Sequence, residues 1–195
     1  NWNGFNILQQ DISKVGALDI KFYNNEFSTN FNKRVKMHLD THKPVVFLLG
    51  SDELNYSILK NAFVVYIGHH GDNSAQIADV VLPSPAYTEK FSTYVNMEGR
   101  VLQSTRCYHP LGQAKEEWKI FRSMSNNFGG DLTFNNLKDL RKEIFQKFPL
   151  FQLLNTLPIT NKLNFGKNKK VNKRILDYTI KNFYMNDVIS RASIT

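Results

Sequence analysis

The sequence predicts an α/β fold in which a parallel sheet is flanked by helices and followed by an extended C-terminal tail. Three observations predict it. Two short apolar runs, Val45 to Leu49 and Phe63 to Ile67, end on Gly50 and Gly68, the pattern of strands buried on both faces and closed by a turn. The stretch between them, Asp52 to Asn61, is long enough for about two or three helical turns and so for a crossover between parallel strands. A third run, Val80 to Leu82, stops at Pro83, whose missing amide donor ends a ladder, and Asn73 to Asp79 ahead of it holds one or two turns. The unit reads β-α-β-α-β.

Open parallel sheets place their ligand crevice at the carboxyl ends of the strands. Here those ends carry Gly50, Ser51 and Asp52 after the first strand and His69 and His70 after the second. Neither GxGxxG nor GxxxxGK[ST] occurs, so no dinucleotide fingerprint or phosphate-binding loop is present. His69, His70 and Asp72 invite a metal reading. Adjacent residues at a strand end point to opposite faces, however, so the two rings are not expected to converge, and no third ligand or nucleophile is at hand. No catalytic residue and no metal ligand is assigned.

Around this unit the chain reads in order. Ile7, Leu8, Ile12, Val15 and Leu18 share one face of a helix over Asn6 to Leu18, with Gly16 a small penalty. Asn24 to Asn32 reads as a loop, and Asn32 to Leu39 as a short helix. Tyr94 to Ser104 forms two extended pieces about a turn at Glu98-Gly99-Arg100, where Glu89, Glu98 and Arg100 are expected to form a charged network. A helix over Gln113 to Met124 should set Trp118 against the sheet. Leu137 to Phe148 makes a second amphipathic helix, capped by Asn135 or Asn136 and ended by Pro149. A partial α/β domain over residues 1–150 is followed by a basic linker and tail over 151–195.

Composition narrows the function. The 195 residues are 42% hydrophobic and 13% aromatic, a globular balance. The longest apolar runs fall far short of the roughly 20 residues that cross a bilayer, so no membrane insertion is expected. The net charge of +8 admits nucleic acid or an acidic membrane surface. The excess of Lys, Asn, Phe, Ile and Tyr is what AT-rich codons produce, which points to an organelle genome. Asn164 to Arg174 is a basic run, with no aromatics interleaved among the cations from Lys167 to Arg174, and reads as solvated or laid on an acidic neighbour rather than as a nucleic-acid site. Cys107 is the single cysteine, expected half-buried in a strand or turn; one thiol cannot hold an iron–sulfur cluster, which takes about four. The chain opens on Asn1 with no visible leader, which is expected if a presequence was removed or the chain is made where it is used.

The wording of the central stretch, GHHGDNSAQIADVVLPSPAYTEKFSTYVNMEGRVLQ, resembles the molybdopterin oxidoreductase superfamily. The elements shared broadly are ADVVLP, Tyr87-Thr88-Glu89-Lys90, Tyr94-Val95-Asn96 and Glu98-Gly99-Arg100. Gly68-His69-His70-Gly71-Asp72 resembles the complex I branch, that of its largest iron–sulfur subunit. So do Ser13-Lys14-Val15-Gly16-Ala17-Leu18-Asp19 near the start and, near the end, Asn182-Phe183-Tyr184-Met185 with Ile189-Ser190-Arg191-Ala192-Ser193.

The resemblance implies a Rossmann-like parallel sheet within a molybdopterin oxidoreductase-like domain. It implies a structural subunit of the peripheral, matrix-side arm of mitochondrial NADH:ubiquinone oxidoreductase. In molybdenum-containing relatives loops at these strand ends hold part of a pterin dinucleotide; in the complex I branch the crevice is vestigial and the chain carries no cofactor. The iron–sulfur clusters and FMN are then expected on partner chains, among them a separate chain with the cluster-binding half. Phe183, Tyr184, Met185 and Arg191 are the expected docking residues of the tail. A fragment of a molybdopterin-dependent enzyme such as a formate dehydrogenase is the alternative.

Overall fold

The computed structural model describes residues 9, 11–22, 42–51, 54, 56–158, 185 and 187–193. The expected loop and helix over 24–39, the basic run over 164–174, and Asp52, Phe183 and Tyr184 lie outside the described residues.

Three parallel strands form the central sheet in the order β1 (Val45–Leu49), β2 (Phe63–Gly68), β3 (Val80–Pro83). Val45 aligns with Phe63 and Val65 with Val80, so β2 lies between the other two. The first crossover contains a 3-10 turn, Tyr56–Leu59; the second is helix α2, Asn73–Ile77. Alternation along the strands sorts the side chains. Val46, Leu48, Val64 and Tyr66 pack with Leu59, Ala62 and Ala75 from the crossovers. On the other face Phe47 meets Phe121 of helix α3, Glu117–Ser125, at 6.2 Å between ring centroids.

The expectation of strands buried on both faces holds for β2 alone. Val45 and Leu49 at the ends of β1 are exposed, as are Val80 and Val81 of β3. Among the described residues both strands are edges of a three-stranded sheet, so an apolar run that looks fully buried in sequence is half-buried in place. Asp79 closes the open end of the β2–β3 ladder: its carboxylate accepts the Val64 N–H at 2.8 Å and its own N–H donates to the Val64 carbonyl at 2.9 Å. That double bond to the central strand explains an aspartate directly before a buried-looking strand.

A second core lies under the hairpin of β4 (Thr93–Val95) and β5 (Val101–Gln103). Val95, Val101 and Phe151 form its centre, with Val15, Ile144, Phe145 and Phe148 packed around them. The hairpin turns at Gly99, whose φ of +81° favours glycine. Helix α1 spans Lys14–Asp19 and starts at Ser13, which has a left-handed φ of 62°; Asp11 to Ser13 are outside it, so the expected helix is shorter at its start. Gly16 is more than a small penalty. A Cβ there would sit 3.0 Å from the Val95 side chain and 2.8 Å from the Ser13 hydroxyl, which itself accepts the Val95 N–H at 3.1 Å. The glycine lets α1 lie directly on β4.

Helix α3 starts later than expected, at Glu117, because Glu116 occupies the N-cap position and is buried. Its carboxylate accepts from Trp118 Nε1 at 2.8 Å and from Lys119 Nζ at 3.2 Å. Trp118 is therefore drawn toward Phe134, at 6.2 Å, and Phe121 is the residue that meets the sheet's Phe47. Helix α4, Leu137–Lys147, is capped by the Asn136 side chain, which accepts the Asp139 N–H at 2.9 Å. Pro149 then opens a 3-10 turn, Pro149–Gln152. The packed body continues past residue 150: Phe151 is in the second core and the Asn155 N–H donates to the Val101 carbonyl at 2.9 Å. A short helix, α5 (Val188–Ala192), is capped by Asp187.

Candidate functional site: a crevice closed by its own hydrogen bonds

The carboxyl ends of β1 and β2 bring together Gly50, Ser51, His69 and His70, as the sheet topology requires, and add Tyr56, Tyr66, Asp72 and Ser74, which the sequence did not mark as a group. Tyr66 is the organising side chain. Its ring passes over Gly68, where a Cβ would overlap the phenol outright, and its hydroxyl donates to Asp72 Oδ2 at 2.6 Å. Burial first, and then that bond to a carboxylate, push the Tyr66 phenol well above its ordinary value, so it stays a neutral donor.

Asp72 is thereby removed from the metal reading. Its other oxygen, Oδ1, caps α2 by accepting from the Ser74 and Ala75 N–H groups at 2.9 and 3.1 Å. Ser74 is fully buried, donates its hydroxyl to the Ser51 carbonyl and lies 3.1 Å from the Tyr56 hydroxyl. Gly50, with φ of 59°, has open space where a side chain would be, and its N–H continues the ladder to Ile67.

The histidines correct the expectation drawn from strand alternation. β2 ends at Gly68, so His69 and His70 follow the turn, and their Nδ1 atoms meet at 2.6 Å with the rings edge to face. One ring must donate and the other accept, so the contact is made with at least one of them neutral. His69 is held below its ordinary value, first by burial and then by His70 and Lys90, while Asp187 and Glu117 pull the other way. Among the described residues no three His, Cys, Asp or Glu side chains cluster as metal ligands do. Lys90 is itself paired with Glu117 at 2.5 Å.

A lowered histidine value has a sign. Between the folded value and the ordinary one the unfolded chain binds more protons, so stability rises with pH across that window and is lost as pH falls through it. Urea unfolding at about pH 5 and pH 8 should show a larger gain for the wild type than for His69→Gln. Equal gains would contradict it.

The remaining predicted residues scatter. Glu89 is not part of a network at the hairpin turn, because its carboxylate accepts the Ala86 N–H at 3.0 Å. Arg100 lies 4.0 Å from Glu98 and spends a closer contact, 2.6 Å, on the Asn155 carbonyl. Cys107 is exposed rather than half-buried. In the tail, Arg191 Nη1 donates to the Met185 carbonyl at 3.3 Å, and Asp187 at the start of the same helix is near enough to favour the charged form of His69.

Of the side-chain donors described at this end, Ser74 is turned on Ser51, Tyr66 on Asp72, and the histidines on each other at Nδ1. A carboxylate sits among them. This set does not fit a phosphate-bearing cofactor.

The profile of the molybdopterin oxidoreductase family matches residues 1–127. The chain belongs to that family. Within the molybdopterin oxidoreductases its likeness is specific, because a second profile, that of the C-terminal region of the G-type subunit of NADH-ubiquinone oxidoreductase, matches residues 156–195. The G-type subunit of NADH-quinone oxidoreductase from Rickettsia bellii is 38% identical over 100% of this chain and 27% of its own length. The NADH-ubiquinone oxidoreductase 75 kDa subunit of Reclinomonas americana is 38% identical over 100% of this chain and 28% of its own length. The mitochondrial 78 kDa subunit of Candida albicans is 38% identical over 100% of this chain and 27% of its own length. The chain spans about a quarter of the length of these curated relatives. Among solved structures, acetylene hydratase from Pelobacter acetylenicus overlays 50% of this chain and 16% of its own at 25% identity, with a TM-score of 0.44.

Proposed function

We propose that this chain is a structural, non-catalytic part of the peripheral, matrix-side arm of mitochondrial NADH:ubiquinone oxidoreductase. The observation that carries the reading is the collinear likeness to the G-type subunit of NADH-quinone oxidoreductase through the whole chain, tail included. The tail match separates this reading from a fragment of a formate dehydrogenase or similar enzyme. On this reading electrons from NADH pass through FMN and clusters held elsewhere, since one cysteine cannot supply a cluster's ligands. The chain's contribution is packing. Its two cores and the self-bonded crevice support a rigid body, and the crevice is vestigial.

The reading extends to a separate polypeptide carrying the cluster-binding half. Peptides of that half at a distinct denatured mass, in the same native complex, support this; one polypeptide containing both contradicts it.

Among the described residues no helix is long and apolar enough to cross a membrane, so attachment through partner subunits is the route this reading uses. Deleting 183–195 tests the role of the tail. Assembly of the arm should fall several-fold while the turnover of each remaining assembled complex is unchanged. Normal complex levels in the deletion would contradict a docked structural tail.

A further inference from the structure

The segment from Ser104 to Lys115 joins β5 to α3 with no helix or strand of its own, and it is tied down along one side. The Ser104 N–H donates to the Ser92 carbonyl at 2.9 Å, Cys107 to Thr88 at 2.8 Å and Lys115 to Pro83 at 3.1 Å. The order of these bonds lays the segment as a strap antiparallel to residues 83–92. Single exposed apolar side chains are ordinary. Here four large ones stand on two strips of backbone held side by side: Tyr108 is 75% exposed, Leu111 78%, Tyr87 57% and Phe91 39%.

Unpaired cations outnumber unpaired acids around them. The Arg106 guanidinium lies 5.3 Å over the Phe91 ring, and Lys115 ends the strap; neither forms an ion pair among the described residues. Of the nearby acids, Glu117 is paired with Lys90, while Glu89 accepts the Ala86 N–H and keeps its negative charge. We propose that this strap is a docking surface for an acidic protein partner, with Tyr108 and Leu111 as apolar anchors and Arg106 and Lys115 as the complementary charges. Aromatic residues with arginine are what protein–protein contacts concentrate. A second copy of the chain is disfavoured by its net charge of +8. An anionic lipid surface is recognised by about four to eight clustered cations, more than the two unpaired here.

The inference rests on the proposed function only for where the partner is sought. The exposed thiol of Cys107, between Arg106 and Tyr108, reports on the surface. Maleimide labelling of Cys107 is followed in the native fraction that contains the full-length chain and in the chain released from it. The rate should be roughly tenfold or more lower in the assembly, the ratio that corresponds to about 1.4 kcal/mol of coverage. The double variant Arg106→Glu, Lys115→Glu should lose that protection at salt concentrations that leave the wild type protected.

Free labelling inside a complex with NADH dehydrogenase activity overturns the docking surface and leaves the function reading intact. Protection in a protein assembly without that activity does the reverse. A chain that runs alone with a free thiol overturns both. Protection only by phosphatidylserine vesicles assigns the strap to a membrane and overturns the protein partner.

Discussion

Phe151→Ala is expected to lower the stability of the chain by about 3–5 kcal/mol, the cost of emptying a buried aromatic site that cannot collapse. Phe151 fills the space between Val95 and Val101 of the hairpin, with Phe148 edge to face at 6.4 Å, and it is the residue through which the chain beyond α4 returns to the hairpin. The Asn155 to Val101 bond and the parallel bridge between Val101 and Leu154 depend on that return. A domain of this size is stable by only about 5–15 kcal/mol, so the variant should unfold at distinctly lower urea with an unchanged slope. Phe151→Leu should lose less. If Phe151→Ala shifted the midpoint no more than an exposed substitution such as Leu157→Ala, the second core would not be a cooperative part of the fold.

The second large effect is expected at the crevice. Asp72→Ala removes the cap of α2, about 1 kcal/mol, and leaves the Tyr66 hydroxyl only a long contact to the His70 carbonyl at 3.4 Å, about 1–3 kcal/mol more. The sum makes this carboxylate a structural centre rather than a ligand. Asp72→Asn keeps an acceptor for the cap and should retain part of the stability. In a double-mutant cycle, Asp72→Ala and Tyr66→Phe should be less than additive, because each removes the same bond at 2.6 Å. Additive losses would mean that the two side chains do not act on each other in the folded state.

These two residues also mark how far the sequence reaches. The strands were legible because apolar runs of strand length stopped at Gly50, Gly68 and Pro83, and backbone chemistry makes those stops local. The hairpin was legible for the same reason, since Gly99 is the turn. Burial was less legible. Nothing local in Val45 to Leu49 says that β1 is an edge, because that depends on how many strands the sheet has. The start of α3 was misplaced because Glu116, the fourth residue of the expected helix, is buried, accepts from Trp118 and Lys119, and takes the cap position.

Asp72 carried its own signal, an N-cap residue directly before a helix, but was weighed only beside the two adjacent histidines, for a metal site that was not assigned. The histidines converge because β2 ends at Gly68, directly before them, so the alternation that would have separated them does not apply. Tyr66 was invisible as a site residue: a tyrosine inside an apolar strand reads as core until Gly68, two residues on and on the same face, is seen to make room for its ring. The motif wording carried the family, and profile matches over 1–127 and 156–195 agree with it.

The central claim is that this chain works as a structural part of NADH:ubiquinone oxidoreductase. The most direct measurement is to resolve gently solubilised organelle membranes on a native gradient and follow peptides of this chain by mass spectrometry alongside NADH dehydrogenase activity. The account predicts comigration of the chain with that activity and with the membrane subunits of the complex. Migration as a small soluble species, or with molybdenum and no NADH dehydrogenase activity, would contradict it.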